Sequence, residues 1–236
     1  MSLPPLTVAI LAGGAATRLG GRDKGLEPLG GQPLIAWVID AVAAMNTDTT
    51  SVAPTFESSP SRRGRGGDGF PRLATSNTIG AASTAPNLLI VANRHLGDYS
   101  RYALTIGDIV AGFHGPLAGV ATALAACTTP WLLTVPVDCP DPPRDLARRL
   151  AEATLEYDAA AFVAHDGERR QPLFALYARD LAASAAVAVD AGQGVWQWQT
   201  SIGARELDFS DRRRQFRNLN TPEEFAAYAA EHRLES

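Results

Sequence analysis

Glycines and two cations follow a short apolar run near the amino terminus. The apolar residues 8–12 end at Gly13 and Gly14, and Arg18 and Lys24 follow within the stretch VAILAGGAATRLGGRDK. Glycines let the backbone approach a ligand closely, and successive backbone N–H groups in such a loop bind anions. Arg18 and Lys24 add the fixed positive charges that a triphosphate needs. We interpret the stretch as a strand followed by a phosphate-binding loop; the simpler alternative is a Gly-rich turn with two solvated cations.

A carboxylate follows a second apolar run. Residues 131–135 (WLLTV) precede Pro136, which puts Asp138 at the carboxyl end of a predicted buried strand. Ligands bind at this edge of an open α/β sheet. A lone carboxylate there suits Mg²⁺, because Mg²⁺ takes one or two carboxylates together with phosphate oxygens. The alternative role for Asp138 is a turn or helix-capping aspartate before Pro142 and Pro143.

The stretch from Leu11 to Lys24 resembles the signature of nucleotidyltransferases, which join a nucleoside triphosphate to a phosphate. Later segments narrow the resemblance to the molybdenum cofactor guanylyltransferases, the MobA family. In chain order they are residues 92–95 (ANRH), 115–119 (GPLAG), 136–140 (PVDCP), 171–173 (QPL) and 218–224 (NLNTPEE). The resemblance covers nearly the whole chain except residues 46–87.

This resemblance implies an activity and a set of site residues. The activity is transfer of GMP from GTP to the molybdopterin cofactor, with release of pyrophosphate and with Mg²⁺ held at Asp138. The implied catalytic residues are Arg18, Lys24 and Asp138. The residues expected to bind the nucleotide are Leu11, Ala12, Gly13, Gly14, Lys24, Asn93, Asp108 and Asp138.

Asp108 and Asn93 are the side chains expected to lie near the base or ribose. The resemblance places a nucleotide-contacting aspartate at Asp108, at the end of a short predicted strand. Its carboxylate can accept the two N–H groups of the guanine edge, or it can hold a ribose hydroxyl. Val91 stands where the family often carries an asparagine that contacts the nucleotide, and Asn93 replaces it only if the backbone register allows.

Four polar residues in the second half of the chain are expected to bind the pterin. Residues 165–171 link two predicted strands, and residues 218–220 lie, in the resemblance, in the pterin-binding half of the cleft. Asparagine amides suit a pterin edge because they both donate and accept hydrogen bonds. For the arginine pair at 169–170, the alternative is charge on a surface hairpin. The four predicted residues are Arg169, Gln171, Asn218 and Asn220.

Composition limits the class of protein. The chain has 236 residues, enough for one α/β domain with a sizeable core, and its net charge of −4 argues against a nucleic-acid-binding surface. No apolar run is long enough to span a bilayer, and the amino terminus lacks the basic region of a signal peptide. Two cysteines are too few for a disulfide scaffold. We expect a cytoplasmic enzyme with no membrane or nucleic-acid partner; transient contacts with cofactor-biosynthesis or acceptor proteins fit this setting.

Strands alternate with helical patterns along the chain. This alternation predicts an α/β fold: a single Rossmann-like three-layer domain over residues 1–236, with a mostly parallel central sheet, which the resemblance specifies as nucleotidyltransferase type. Strands are expected near 7–12, 88–92, 104–108, 131–135, 159–164, 173–177 and 206–209. Helices are expected near 33–45, 96–103, 117–126, 143–155, 180–189 and 194–199, and from Thr221-Pro222 onward.

Residues 46–87 interrupt this pattern. They are rich in Ser, Thr, Gly, Pro and Ala, and they show no apolar periodicity. Such a composition cannot offset the entropy cost of ordering, so we predict a disordered insertion between the first helix and the second strand. Relatives in the family connect these two elements briefly. The arginines of the insertion lie either on a solvated loop or in a basic patch that contacts a partner.

Two other functions remain as alternatives. One is a cytidylyltransferase that acts on molybdopterin or on a sugar or polyol phosphate; those relatives more often read LAAG where this chain reads LAGG at 11–14. The other is a non-catalytic nucleotide-binding module. The combination of Arg18, Lys24 and Asp138 disfavours it, because a pure binding protein need not retain a metal site.

Overall fold

The computed structural model describes residues 3–13, 22–47, 87–108 and 115–234. Within them the β-strands form one large sheet and one small hairpin. The strands are β1 (Leu6–Leu11), β2 (Pro28–Leu29), β3 (Gln32–Pro33), β4 (Asn87–Val91), β5 (Leu104–Ile106), β6 (Trp131–Pro136), β7 (Ala161–His165), β8 (Arg170–Ala178) and β9 (Arg205–Asp208).

The central sheet has seven strands in the order β5-β4-β1-β6-β8-β7-β9. β1 pairs in parallel with β4 on one side and with β6 on the other, and β4 pairs in parallel with β5. β8 is antiparallel to both β6 and β7, and β9 is parallel to β7. In this sheet only β8 therefore runs against the common direction, and the mostly parallel central sheet is confirmed.

Helices cover both faces of the sheet. Side chains alternate between the two faces along a strand. Val8 and Ile10 of β1 accordingly lie in one apolar cluster with side chains of the first and fourth helices, whereas Ala9 and Leu11 lie in a second cluster with the third, fifth and sixth. The predicted three-layer architecture is confirmed. The helices are α1 (Leu34–Thr47), α2 (Leu96–Tyr99), α3 (Pro116–Ala126), α4 (Leu146–Glu156), α5 (Ala182–Asp190), α6 (Val195–Ser201) and α7 (Pro222–Leu234).

Each predicted strand and helix is present, but several details differ. The helix expected over 96–103 ends at Tyr99, and turns occupy residues 100–102. The strand expected over 173–177 extends over residues 170–178 as β8, and its antiparallel direction carries no sequence signal. The β2–β3 hairpin was not predicted, since two-residue strands are too short to show a periodicity.

The boundaries of the predicted insertion also differ at both ends. α1 extends through Thr47, and β4 begins at Asn87, so residues 46, 47 and 87 belong to regular elements. Residues 48–86 lie outside the described part of the chain. None of the helices in the described ranges is both long enough and apolar enough to cross a membrane.

Candidate active site

The strand order creates a point where two crossover connections diverge. From β1 the chain passes through α1 to β4 on one side, and from β5 it returns through α3 to β6 on the other side. Open α/β sheets bind ligands at the carboxyl ends of strands at such a point. The Ala12 N–H donates to the Val91 carbonyl at 2.8 Å, and the Val137 N–H donates to the Leu11 carbonyl at 3.1 Å. The residues that follow β1, β4 and β6 therefore meet at one edge of the sheet.

Three predicted residues come together at this edge. Lys24 Nζ donates to Asp138 Oδ2 at 3.2 Å and to Asn220 Oδ1 at 2.8 Å. The Lys24 and Asp138 side chains are 22% and 21% exposed, so the ion pair is largely shielded from water yet open to a ligand. We call these residues the Lys24–Asp138–Asn220 cluster. It places one cation, one carboxylate and one amide at the carboxyl end of β6, where a phosphate group is expected.

The start of α7 holds Asn220 in this position. The Leu219 N–H donates to the Asp138 carbonyl at 2.8 Å, which ties the segment before α7 to the end of β6. The Glu224 carboxylate accepts the backbone N–H groups of Asn220 and Thr221, and Thr221 Oγ1 accepts the Glu224 N–H at 3.3 Å. This reciprocal pairing is a capping box. The predicted helix start at Thr221 is confirmed.

Asn93 and Asp108 form a second pair beside the end of β4. Asn93 Nδ2 donates to Asp108 Oδ2 at 2.6 Å, and the Asp108 N–H donates to Asn93 Oδ1 at 3.2 Å. Both ends of the Asn93 amide are therefore engaged by Asp108. A Cβ at Gly119 of α3 would lie 3.9 Å from Asp108 Oδ1, so the helix passes close over the carboxylate. Asn93 orients Asp108, and its predicted contact with the nucleotide stays a prediction.

Three side-chain oxygens in these segments are buried and have no hydrogen-bond partner within the described residues: Asp108 Oδ1, Asp138 Oδ1 and Asn218 Oδ1. A buried acceptor left unpaired typically costs about 1–3 kcal/mol, so such atoms call for water, a ligand or a metal ion. All three belong to residues predicted to bind substrate or metal. They are the atoms through which the site can take up further hydrogen bonds.

Asp138 has the donor set of a one-carboxylate metal site. Lys24 engages Oδ2, and Oδ1 is the atom left for a cation. The described residues contain no group of three or more His, Cys, Asp or Glu side chains that could enclose a metal ion. Within the described residues a cation at Asp138 would meet one carboxylate, and phosphate oxygens and water could complete the coordination typical of Mg²⁺. The residues present fit that ion.

The predicted phosphate loop is only partly within the described residues. Leu11 and Ala12 are buried, so they can reach a ligand only through their backbone. Gly13 is exposed, and a Cβ at this position would lie 3.3 Å from Asn93 Nδ2. The lack of a side chain therefore keeps the space beside Asn93 open. Gly14 and Arg18 lie outside the described residues.

Arg169 lies in the turn between β7 and β8, and Gln171 lies in β8 beside that turn. Gln171 is buried, and its Nε2 donates to Asp166 Oδ2 at 2.6 Å. Burial raises the pKa of Asp166, but the N–H groups of Arg169 and Glu168 and the Gln171 amide outweigh burial, and the pKa is lowered overall. Gln171 thus stabilises the hairpin, and among the described residues no hydrogen bond joins it or Arg169 to the Lys24–Asp138–Asn220 cluster. Their roles toward the pterin stay predictions.

A cleft of about 610 Å³ opens beside the segment that leads into Asn218. Its walls come from the residues just after Asp138, from the β7–β8 hairpin, from residues 213–217 and from α7. The Arg169 side chain, 71% exposed, lies on its wall. The cleft is large enough for a bicyclic ring system, and its wall reaches Arg217, the residue before Asn218.

Sequence reasoning missed two residues that support Lys24. The Asp23 carboxylate caps the short 3-10 helix Lys24–Leu26 by accepting the Gly25 N–H at 3.1 Å. The Tyr99 hydroxyl donates to the same Asp23 oxygen. An aspartate just before a turn is a common capping signal, but nothing in the sequence relates Tyr99, 76 residues away, to that turn.

The fold and the site together define an α/β nucleotidyltransferase. A model of the MobA-like NTP transferase domain matches residues 8–66 and 71–206, and the chain belongs to that family. The molybdenum cofactor guanylyltransferase of Vibrio vulnificus (strain YJ016) is 34% identical over 230 residues, which cover 97% of each chain. The corresponding protein of Shewanella frigidimarina (strain NCIMB 400) is 34% identical over 225 residues, 94% of each chain.

A solved structure shows the same fold. The molybdopterin-guanine dinucleotide biosynthesis protein A from Archaeoglobus fulgidus is similar with a TM-score of 0.66, at 20% identity, over 98% of this chain and 100% of that chain. These similarities confirm the family, the enzyme class and the fold class that the sequence predicted. The individual site residues stay predictions.

Proposed function

We propose that this enzyme transfers GMP from GTP to the molybdopterin (molybdenum) cofactor, releases pyrophosphate and so makes the guanine dinucleotide form. The observation that carries the proposal is the identity of 34% across 97% of the chain with a relative named for this reaction. The Lys24–Asp138–Asn220 cluster supplies the local chemistry that the reaction needs. Because the family is established, the proposal concerns the two substrates and the residues that bind them.

The transfer requires positioning and charge neutralisation more than a side-chain nucleophile. A terminal phosphate oxygen of the pterin attacks the α-phosphorus of GTP in line, and pyrophosphate leaves on the opposite side. Lys24 Nζ, held 3.2 Å from Asp138 Oδ2 and 2.8 Å from Asn220 Oδ1, is oriented toward this edge of the sheet. We assign Lys24 to the triphosphate, where its charge stabilises the leaving pyrophosphate, and we assign the same task to Arg18.

Asp138 is the proposed ligand for Mg²⁺ through its unpaired Oδ1. Mg²⁺, when bound, neutralises charge on the phosphate oxygens. Asp138 also orients Lys24 through Oδ2, so this carboxylate connects the cation of the phosphate site to the metal site. The Leu219 N–H holds the backbone of Asp138 in turn, which fixes the carboxylate relative to α7.

We propose that Asp108 contacts the nucleoside of GTP and that Asn93 positions it. The reciprocal hydrogen bonds with Asn93 restrain the Asp108 carboxylate, and Oδ1 remains unpaired among the described residues. Oδ2 retains a second lone pair, so the carboxylate can accept either two guanine N–H groups or a ribose hydroxyl. The alternative is that backbone groups of residues 11–13 form the hydrogen bonds to the base.

The pterin is proposed to bind between Asn218, Asn220 and the cleft beside α7. The Asn218 Oδ1 atom is buried and unpaired within the described residues, and the cleft of about 610 Å³ continues from this segment. Arg169 on the cleft wall carries a positive charge suited to a phosphate of the acceptor. Gln171 contributes by holding the hairpin that carries Arg169, through its hydrogen bond to Asp166.

One experiment separates the proposed reaction from its alternatives. The protein is incubated with Mg²⁺, molybdopterin and each of the four nucleoside triphosphates in turn, and the products are identified by mass. We expect the guanine dinucleotide product and pyrophosphate from GTP alone. Product from CTP would instead identify a cytidylyltransferase, and nucleotide binding without product from any of the four would identify a binding module.

The setting of the enzyme forms part of the proposal. The net charge of −4 and two free, buried cysteines agree with a cytoplasmic enzyme that has no nucleic-acid or membrane partner. Transient contacts with cofactor-biosynthesis or acceptor proteins would deliver and remove the cofactor. We propose that residues 1–236 act as one domain and that residues 48–86 are an insertion that is dispensable for the chemistry.

A further inference from the structure

We propose that Tyr99 is a positioning residue for the phosphate-binding cation: its hydroxyl, through Asp23, holds the turn that presents Lys24 to Asp138. This inference rests on the proposed role of Lys24 at the triphosphate. Tyr99 touches none of the reacting groups itself. It acts through the backbone of the 3-10 helix Lys24–Leu26.

The connection runs through a single carboxylate oxygen. The Tyr99 side chain is fully buried, and its hydroxyl donates to Asp23 Oδ1. The same oxygen accepts the Gly25 N–H at 3.1 Å and so caps the turn that carries Lys24. Because Tyr99 belongs to the apolar core between the sheet and α1, the hydrogen bond anchors the partly buried turn at residues 23–26 to the core of the molecule.

Gly25 provides a second, independent contact with Tyr99. A Cβ at Gly25 would overlap the Tyr99 hydroxyl and would lie 2.9 Å from Val137 Cγ2. Gly25 therefore lies packed between these two side chains, with no room for a larger residue. Val137 immediately precedes Asp138, so the contact that fixes Gly25 also fixes the distance between Lys24 and its carboxylate partner.

The Tyr99 hydroxyl stays a donor throughout the working pH range. Burial raises the pKa of Tyr99 far above its usual value, and the hydrogen bond and charge of Asp23 raise the pKa further. The phenol therefore keeps its proton for Asp23. A hydrogen bond to a charged acceptor in a shielded place is among the stronger kinds in proteins. Its loss would release the turn without removing any group that contacts substrate.

The test is a double-mutant cycle between Tyr99→Phe and Lys24→Ala. The first change deletes only the hydroxyl, so we expect kcat/KM for GTP to fall about ten-fold, as loss of one charged hydrogen bond predicts. The KM for molybdopterin should stay unchanged. In the Lys24→Ala background, Tyr99→Phe should cause no further loss, because the group that it positions is already gone. Where turnover is too slow to measure, the dissociation constants of GTP for the same four proteins complete the double-mutant cycle.

Tyr177→Phe is the matched control. Tyr177 is equally buried, lies in the cluster on the opposite face of the sheet, and its hydroxyl accepts Gln199 Nε2 at 2.6 Å. We expect this variant to alter the melting temperature comparably and to leave kcat/KM for GTP unchanged. Equal kinetic losses in the two tyrosine variants would overturn the proposal, because they would show a general effect of destabilisation.

The remaining outcomes are also decisive. If the double variant loses kcat/KM by the product of the two separate losses, Tyr99 does not act through Lys24, and the proposal is refuted. Unchanged kinetics of Tyr99→Phe in an otherwise active enzyme would remove the role of Tyr99 and leave the proposed function intact. Wild-type protein that neither binds GTP nor forms product would instead refute the proposed function, and the positioning role with it.

Discussion

Replacing Asp138 by Asn tests the centre of the proposed chemistry. The change keeps the size of the side chain and removes the charge of a carboxylate that is 21% exposed, pairs with Lys24 at 3.2 Å and has one unpaired oxygen. We expect turnover to fall on the order of 100-fold, since loss of one preorganised charge contact costs about 3 kcal/mol of transition-state stabilisation. The concentration of Mg²⁺ needed for half-maximal activity should rise, because an amide oxygen is a weaker Mg²⁺ ligand than a carboxylate.

Stability should change much less than activity. Although the Lys24–Asp138 ion pair is largely shielded from water, the substitution keeps a hydrogen-bond acceptor of the same size beside Lys24, so we expect the free energy of unfolding to fall by about 1 kcal/mol. In a protein of this size that loss lowers the melting temperature by about 2–4 °C. That acceptor is the amide oxygen, which can still receive a hydrogen bond from Lys24 Nζ. The variant is therefore expected to remain folded at the assay temperature.

The measurements are initial rates of pyrophosphate release over a series of Mg²⁺ concentrations, with thermal unfolding of each variant. Asp190→Asn is the matched control: the same chemical change at an exposed residue at the end of α5, on the opposite face of the sheet from α1. Asp190→Asn should behave like the wild type in both assays. Near-normal turnover of Asp138→Asn at limiting Mg²⁺ would show that this carboxylate has no part in the mechanism. If the variant instead loses turnover because it is unfolded at the assay temperature, the prediction that stability changes much less than activity is wrong.

Three further predictions follow from the same structure. Asp108→Asn should lower GTP turnover more than CTP turnover if the carboxylate accepts the guanine N–H groups, because a mismatched polar group goes unpaired; an unchanged ratio of the two rates would assign Asp108 to the ribose instead. Deletion of residues 48–86, with a Gly/Ser bridge, should leave guanylyl transfer near the wild-type rate, since these residues lack a periodic apolar face; a large loss in a folded variant would place them in the site. The lowered pKa of Asp166 means that its contribution to stability is present above the unfolded-state pKa and disappears as the pH falls through the folded-state pKa. Asp166→Asn should therefore narrow the difference in melting temperature between neutral pH and about pH 3, and an unchanged difference would contradict the assignment.

Much of the fold was predictable from local sequence signals. The apolar runs of β1 and β6 are buried strands that mark the edge where Asp138 lies, and Thr221 begins α7 as its sequence predicts. These features depend on residues close together in the chain, where periodicity and capping preferences act directly. The family resemblance extended the prediction to the enzyme class.

Tertiary structure alone decided which side chains meet. Lys24 and Asn220 are 196 residues apart, yet they share a hydrogen bond because α7 begins beside the end of β6. The sequence likewise did not reveal that the Asn93 amide is engaged by Asp108 or that Tyr99 reaches the turn that carries Lys24. Such contacts depend on how helices and strands pack, and residue types carry no record of a partner so distant in the chain. The sequence therefore determined which groups can do the chemistry, and the packing decided how they are oriented.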